Sequence, residues 1–296
     1  MAASSTIKNI LRSIVAIFGF RLSRRGVVPI FSRVFSPKFD KKVFALLPSE
    51  LQEMVDWPRE QLEEEHNLTS TKSGSIWKGI PGGHKWLDYF LIYDREFSVL
   101  RGKQSRVLEI GVYKGASLKM WREYFGSACT IVGIDIDEDC RKFDDPSNDI
   151  HVRIGSQADG IFLRDVIQEF GPFDLIMDDG SHVASHQIAS FNALFLDGLG
   201  KNGIYYIEDL EGNYWGDVSG QLDQEISTMD FLKMVIDMPN FVFKGNQYED
   251  FFINDERLKD SFVVPRISTL IESVKFYRGV AIIQKQHMSP PYGYHM

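Results

Sequence analysis

Two short acidic segments carry the residue types best equipped for chemistry. One is Asp174-Leu175-Ile176-Met177-Asp178-Asp179-Gly180-Ser181-His182; the other is Tyr205-Tyr206-Ile207-Glu208-Asp209. Each is an apolar run ending in carboxylates, the pattern of a strand that delivers acids to one edge of a parallel sheet. If the two strand ends are neighbours, several carboxylates converge with one histidine. Packed carboxylates repel one another strongly without a counter-charge. The economical solution is a hard divalent cation with oxygen ligands and open water positions, such as Mg²⁺. His182, three residues beyond Asp179, is placed to act as a base beside that ion. The plainer alternative is that these acids cap helix N-termini. That suits one of them and leaves four acids at two strand ends unexplained.

A second constellation is Val107-Leu108-Glu109-Ile110-Gly111-Val112-Tyr113-Lys114-Gly115-Ala116-Ser117, an apolar run, a glycine turn and a helix start. Gly111 allows the backbone close to a ligand, and Gly115 lets the turn enter the helix. The dinucleotide pattern G-x-G-x-x-G is absent, and an acid, Glu109, precedes the turn. A carboxylate there repels phosphate and suits a cationic or amino-bearing ligand, which disfavours a nicotinamide enzyme. A plain strand-to-helix turn is the alternative. Asp135, in Ile134-Asp135-Ile136-Asp137, stands about 20 residues beyond the glycines, where an acid holds a ribose diol. Ser156 and Gln157, after a third apolar run, offer small and amide side chains to an adenine edge.

These residues need a particular scaffold. From Arg106 onward, strands alternate with helices: Arg106–Gly111, Thr130–Asp135, Ile150–Ile154, Phe173–Met177 and Gly203–Ile207 are strands. Ser117–Phe125, Asp159–Phe170, Ser185–Leu196 and Gln221–Met238 are helices. Such alternation predicts a doubly wound, mostly parallel sheet with helices on both faces. Ser273–Phe276 and Val280–Lys285, joined near Arg278-Gly279, read as an antiparallel hairpin. Upstream, residues 40–105 form a helical lead-in. It holds a helix from Pro48 towards Trp57 with Ser49 as N-cap, breaks at Ser73-Gly74 and Pro81-Gly82-Gly83, and a long helical pattern between Lys85 and Leu100. The divisions expected are an arm over 1–39, the lead-in, an α/β domain over 106–286 and a tail over 287–296.

Composition narrows the function further. The 296 residues are 44% hydrophobic and 25% charged, which is ordinary globular usage. Two cysteines, Cys129 and Cys140, exclude a disulfide framework and fit a reduced, cytoplasmic setting. The net charge of −8 argues against nucleic acid as a partner. That total conceals an uneven distribution: Met1 to Phe39 contains seven Lys or Arg and no acid. Within this arm Ile7, Ile10, Leu11, Ile14, Val15, Ile17 and Phe18 recur at helical spacing. The arm has three readings: a helix docking on its own domain or on a second subunit, a helix lying on a membrane surface, and an organelle-targeting segment.

With these residues in view, the chain resembles class I S-adenosylmethionine-dependent methyltransferases. Glu109 to Ser117 looks like the E-x-G-x-Y-x-G-x-S loop of the catechol O-methyltransferase-like group. Asp178 to His182 and Glu208 to Leu210 are similar to the D-D-G-S-H and E-D-L segments of metal-dependent sugar O-methyltransferases of macrolide and polyketide tailoring. The resemblance covers roughly residues 80 to 285. It implies a Rossmann-like seven-stranded sheet, S-adenosyl-L-methionine and Mg²⁺ as cofactors, and a small-molecule or glycan acceptor bearing a vicinal diol. It implies that Glu109, Gly111 and Tyr113, on the loop running through Gly115 and Ser117, line the methionine end. Asp135 would hold the ribose, and Ser156 and Gln157 the adenine. Asp178 would face the cofactor, Asp179, Glu208 and Asp209 would bind the metal, and His182 would take the acceptor's proton. The related enzymes also make a homo-oligomer reasonable. The alternatives are an oxidative, hydroxylating enzyme on the same scaffold and a non-catalytic membrane-docked module. The first needs two histidines and a carboxylate around iron, and only His182 and His186 stand near the acids.

Overall fold

The computed structural model describes residues 20–23, 26–29, 45–53, 68–214, 226–245 and 262–291. Near the start, β1 (Phe20–Ser23) and β2 (Gly26–Pro29) pair antiparallel. The amphipathic helix expected over Ile7–Phe18 lies outside the described residues, as does Trp57. Helix α1 (Ser49–Gln52) follows Pro48, which takes the N-cap position expected for Ser49.

Seven strands make the main sheet: β3 (Ser105–Ile110), β4 (Cys129–Asp135), β5 (Ile150–Ile154), β6 (Phe173–Asp178), β7 (Leu199–Ile207), β8 (Ile271–Tyr277) and β9 (Val280–Lys285). Their order is β5-β4-β3-β6-β7-β9-β8. The first five are parallel, and β9 pairs antiparallel with both β7 and β8. Strand order reverses direction between β3 and β6, so the carboxyl ends of these strands open a crevice, where α/β sheets bind ligands.

Side-chain alternation sends each strand's residues to two separate cores. Val107, Ile131, Leu175, Met177, Ile204, Tyr206 and Ile282 enter one core, with α3 (Leu87–Phe97) and α4 (Ala116–Phe125). Leu108, Val132, Ile176, Tyr205, Ile207 and Ile283 enter the other, with α5 (Gly160–Phe170), α6 (Ala184–Leu194) and α7 (Thr228–Asp237). Because both faces are covered, these strands read as near-continuous apolar runs.

Two expectations are corrected. Ser73-Gly74 does not break the chain. It lies inside α2 (Lys72–Trp77), where the Thr71 hydroxyl accepts from Gly74 N at 3.1 Å and the Ser73 hydroxyl donates to Phe90 O at 3.1 Å. Of the helix expected over Gln221–Met238, residues 221–225 lie outside the described residues, and the described helix begins at Thr228, where Ser227 and Asp230 form a reciprocal capping box. Among the described residues, no helix is long and apolar enough to cross a membrane.

Candidate active site

The glycine turn after β3 forms one wall of the crevice. Gly111 has φ 98°, and a Cβ there would collide with the Asp179 carbonyl oxygen. Only a glycine lets the β3 and β6 loops approach this closely. Gly115, at φ 69°, caps α4, and a Cβ would meet the Phe143 ring at 2.6 Å. Between them Val112 N and Tyr113 N donate to Asp135 Oδ2 at 2.8 and 2.9 Å, and Asp137 N donates to Oδ1 at 2.9 Å. Burial pushes the Asp135 carboxyl up, but these amides outweigh it and hold it below its ordinary range.

Below this loop lies a cavity of about 500 Å³ whose walls include Gly111, Tyr113, Ser117, Asp135, Ser156 and Gln157. On its other side stand Asp179, His182 and Asp209. Gly115, at the helix entry, is not on its walls.

Glu109 and Asp178 do not reach the walls either. Glu109 points with Val107 towards α4, where Ser117 Oγ donates to it at 2.7 Å and Trp121 Nε1 at 2.9 Å. Burial pushes this carboxyl up to about 7, although nearby Lys85 and the two donors oppose the rise. Asp178 points with Ile176 towards α6. It is fully buried, and accepts from Ser190 Oγ at 2.5 Å and Gln157 Nε2 at 3.1 Å. Burial raises its carboxyl pKa. Gln157 Oε1 accepts from Ser181 N at 2.7 Å, so this amide braces the β6 loop with both ends.

The acid cluster itself divides. His182 Nε2 lies 3.4 Å from Asp209 Oδ2 and 4.0 Å from Asp179 Oδ1. These three side chains each offer a ligand atom, all within 4.8 Å of one another. Such a convergence fits a divalent cation on the carboxylates with the imidazole beside it. Both His182 and Asp209 adopt left-handed backbone, φ 56° and 55°. Such conformations in non-glycine residues concentrate at functional sites. Glu208, by contrast, is buried. It accepts from Lys85 and, at 2.7 Å, from the Tyr93 hydroxyl. Lys85 donates to Asp179 as well. Burial and the adjacent Glu208 push the Asp179 carboxyl well up. Burial also opposes the Glu208 charge, but Lys85, Asp179 and Tyr93 hold that carboxyl down.

Four residues of the lead-in therefore reach four acids. Besides Lys85 and Tyr93, the Tyr89 hydroxyl bonds Asp209 at 2.8 Å, and Trp86 Nε1 donates to Glu211 at 2.5 Å. The sequence marked none of the four. They fall in the helical pattern between Lys85 and Leu100, where the one signal is Lys85, a charge between Gly83 and an aromatic run.

This strand order, with its glycine loop and strand-end acids, is that of class I methyltransferases. Over 216 residues the chain is 34% identical to the 8-demethyl-8-(2-methoxy-alpha-L-rhamnosyl)-tetracenomycin-C 3'-O-methyltransferase of Streptomyces olivaceus, covering 68% of this chain and 50% of that one. Over 157 residues it is 40% identical to the mycinamicin VI 2''-O-methyltransferase of Micromonospora griseorubida, covering 49% of this chain and 38% of the relative. Among solved structures, it is similar to the MycE methyltransferase from the mycinamycin biosynthetic pathway in complex with Mg, SAH and mycinamycin VI. That match has a TM-score of 0.57 and 30% identity, over 73% of this chain and 54% of the other. The chain is thus a relative of O-methyltransferases that act in natural-product biosynthesis, and it spans about half the length of the curated relatives it matches. No protein-family model matches it.

Proposed function

We propose that this protein is a divalent-metal-dependent O-methyltransferase that uses S-adenosylmethionine and acts on a vicinal diol, typically of a glycosylated small molecule. The observation that carries this reading is the convergence of Asp179, His182 and Asp209 across one cavity from the Gly111 loop and Asp135. In it, the cofactor's ribose is held by Asp135, whose two oxygens are oriented by three amides. Gly111 and Tyr113 line the methionine end, and Ser156 and Gln157 lie towards the adenine, with Gln157 acting through the loop it braces. Glu109 and Asp178 support these walls from beneath.

Asp179, Glu208 and Asp209 would hold the metal, which supplies positive charge to acidify and orient an acceptor hydroxyl. His182 Nε2 accepts the proton from that hydroxyl, and Asp209, 3.4 Å away, stabilises the imidazolium that results. The acceptor oxygen forms its bond to the methyl carbon as the carbon–sulfur bond breaks, and S-adenosylhomocysteine departs. Positioning supplies much of the rate in such a transfer.

The decisive experiment is methyl transfer to a panel of glycosides, followed by mass spectrometry, with and without EDTA. Methylated diol with Mg²⁺ and none with chelator is expected. Undiminished transfer in excess chelator rejects the metal role. A failure of S-adenosylhomocysteine to raise Tm rejects the cofactor.

A further inference from the structure

The lead-in places a cation where the acid wall needs one. The Lys85 side chain is only 6% exposed, and its ammonium donates to Asp179 Oδ2 and Glu208 Oε1 together. Glu208 has no oxygen to spare, because Oε2 accepts from Tyr93. For Glu208 to ligate a metal beside Asp179, as the proposed function requires, the metal must compete with Lys85 for Oε1. An ammonium and a divalent ion make the same demand on these two carboxylates.

The surrounding structure permits the exchange. Lys85 precedes α3, in irregular backbone that follows Gly82 and Gly83, whereas Tyr89 and Tyr93 lie within that helix. Together with His84 it lines the cavity. A swing of this loop therefore moves Lys85 without dislodging the two tyrosines from Asp209 and Glu208.

We propose that Lys85 is a resident cation: it occupies the place between Asp179 and Glu208 in the metal-free protein and yields it to the divalent ion. Metal entry is thereby linked to the position of the 81–86 loop at the cavity wall. This rests on the metal reading above. Its consequence is that metal affinity is set below what the carboxylates alone would give, since only the fraction of molecules with Lys85 withdrawn is competent to bind.

Two measurements test it on the full chain. In the first, Mn²⁺ binding is followed by electron paramagnetic resonance in wild type and Lys85→Met. The variant is expected to bind about tenfold tighter or more, because the competitor is gone. In the second, wild-type protein is acetylated with and without saturating Mg²⁺, and the modified lysines are mapped by mass spectrometry. Lys85 is expected to be protected without metal and reactive with it. Lys285, whose ammonium donates to the carbonyls of Phe195, Leu196 and Leu199, stays protected in both and serves as the control. Unchanged or weaker Mn²⁺ binding by Lys85→Met, or continued protection of Lys85 at saturating Mg²⁺, overturns the proposal. An absence of Mn²⁺ binding by the wild type overturns the metal site as well.

Discussion

The two halves of the crevice stabilise their carboxylates in different ways. On the β3–β4 side, each acid is satisfied within the two adjoining βα units. Asp135 is held by backbone amides of its own turn and the glycine loop, and Glu109 by Ser117 and Trp121 of the following helix. On the β6–β7 side, Asp179, Glu208, Asp209 and Glu211 are satisfied from a distance, by Lys85, Trp86, Tyr89 and Tyr93 of the lead-in. The first half is complete once its βα units fold. The second depends on a separate segment and a counter-charge. The proposed cofactor pocket can be built by local rules, whereas a wall of like charges cannot.

Mutations should separate the halves. The largest effect is expected from His182→Ala, which removes the proposed base. It should lower kcat by about 10² to 10⁴, while calorimetry shows S-adenosylhomocysteine binding unchanged. Weakened cofactor binding in this variant would merge the two halves into one. Next comes the pH dependence of stability from Glu109. Its carboxyl titrates at 4.5 in the unfolded chain and at about 7 when buried. Between those values the unfolded chain binds fewer protons, so stability falls as pH rises, by up to about 3 kcal/mol, and the loss is complete above pH 7. Urea denaturation of Glu109→Gln across pH 4 to 8 should show that slope flattened; a slope identical to wild type would remove Glu109 as its source.

Smaller effects sharpen the contrast. Tyr93→Phe deletes a hydrogen bond to the buried, charged Glu208 and should cost about 2 kcal/mol of stability. Mg²⁺ should recover part of that loss, read as a smaller difference in Tm. Asp135→Asn keeps the shape but forfeits the charge that accepts three amides. A roughly tenfold weaker S-adenosylhomocysteine affinity is expected, about 1.4 kcal/mol, with no change in Mn²⁺ binding. Altered metal affinity there would show that the halves communicate.

The strands were legible in the sequence because both faces of the sheet are covered, which writes them as apolar runs with acids or glycines at their carboxyl ends. For the same reason the placement of Asp135, Asp179, His182 and Asp209 at one edge was legible. Which side of a strand an acid takes was harder. Glu109 is the penultimate residue of β3 and Asp178 the last of β6, and alternation turns them into opposite cores rather than into the cavity. Lys85 could not be found this way. Its partners lie 94 and 123 residues along the chain, and such pairings depend on topology, not on local pattern. Gln157 drew notice as an amide for a ligand, yet its contacts go to Asp178 and Ser181, since a buried amide must satisfy both ends.

The antiparallel β9 has a consequence for how the molecule is made. It is inserted beside β7, and Leu210 N, next to the last acids of the wall, donates to Gly279 O in the β8–β9 turn at 2.9 Å. A ribosome that has emitted β7 has therefore exposed an open strand edge, which waits for Val280–Lys285 to emerge. Until then the nascent chain has its glycine loop but a half-anchored Glu208 and Asp209, and an unpaired edge open to other chains. Translation arrested between the two strands should yield a species that aggregates, whereas arrest after β9 should yield one that folds on the ribosome.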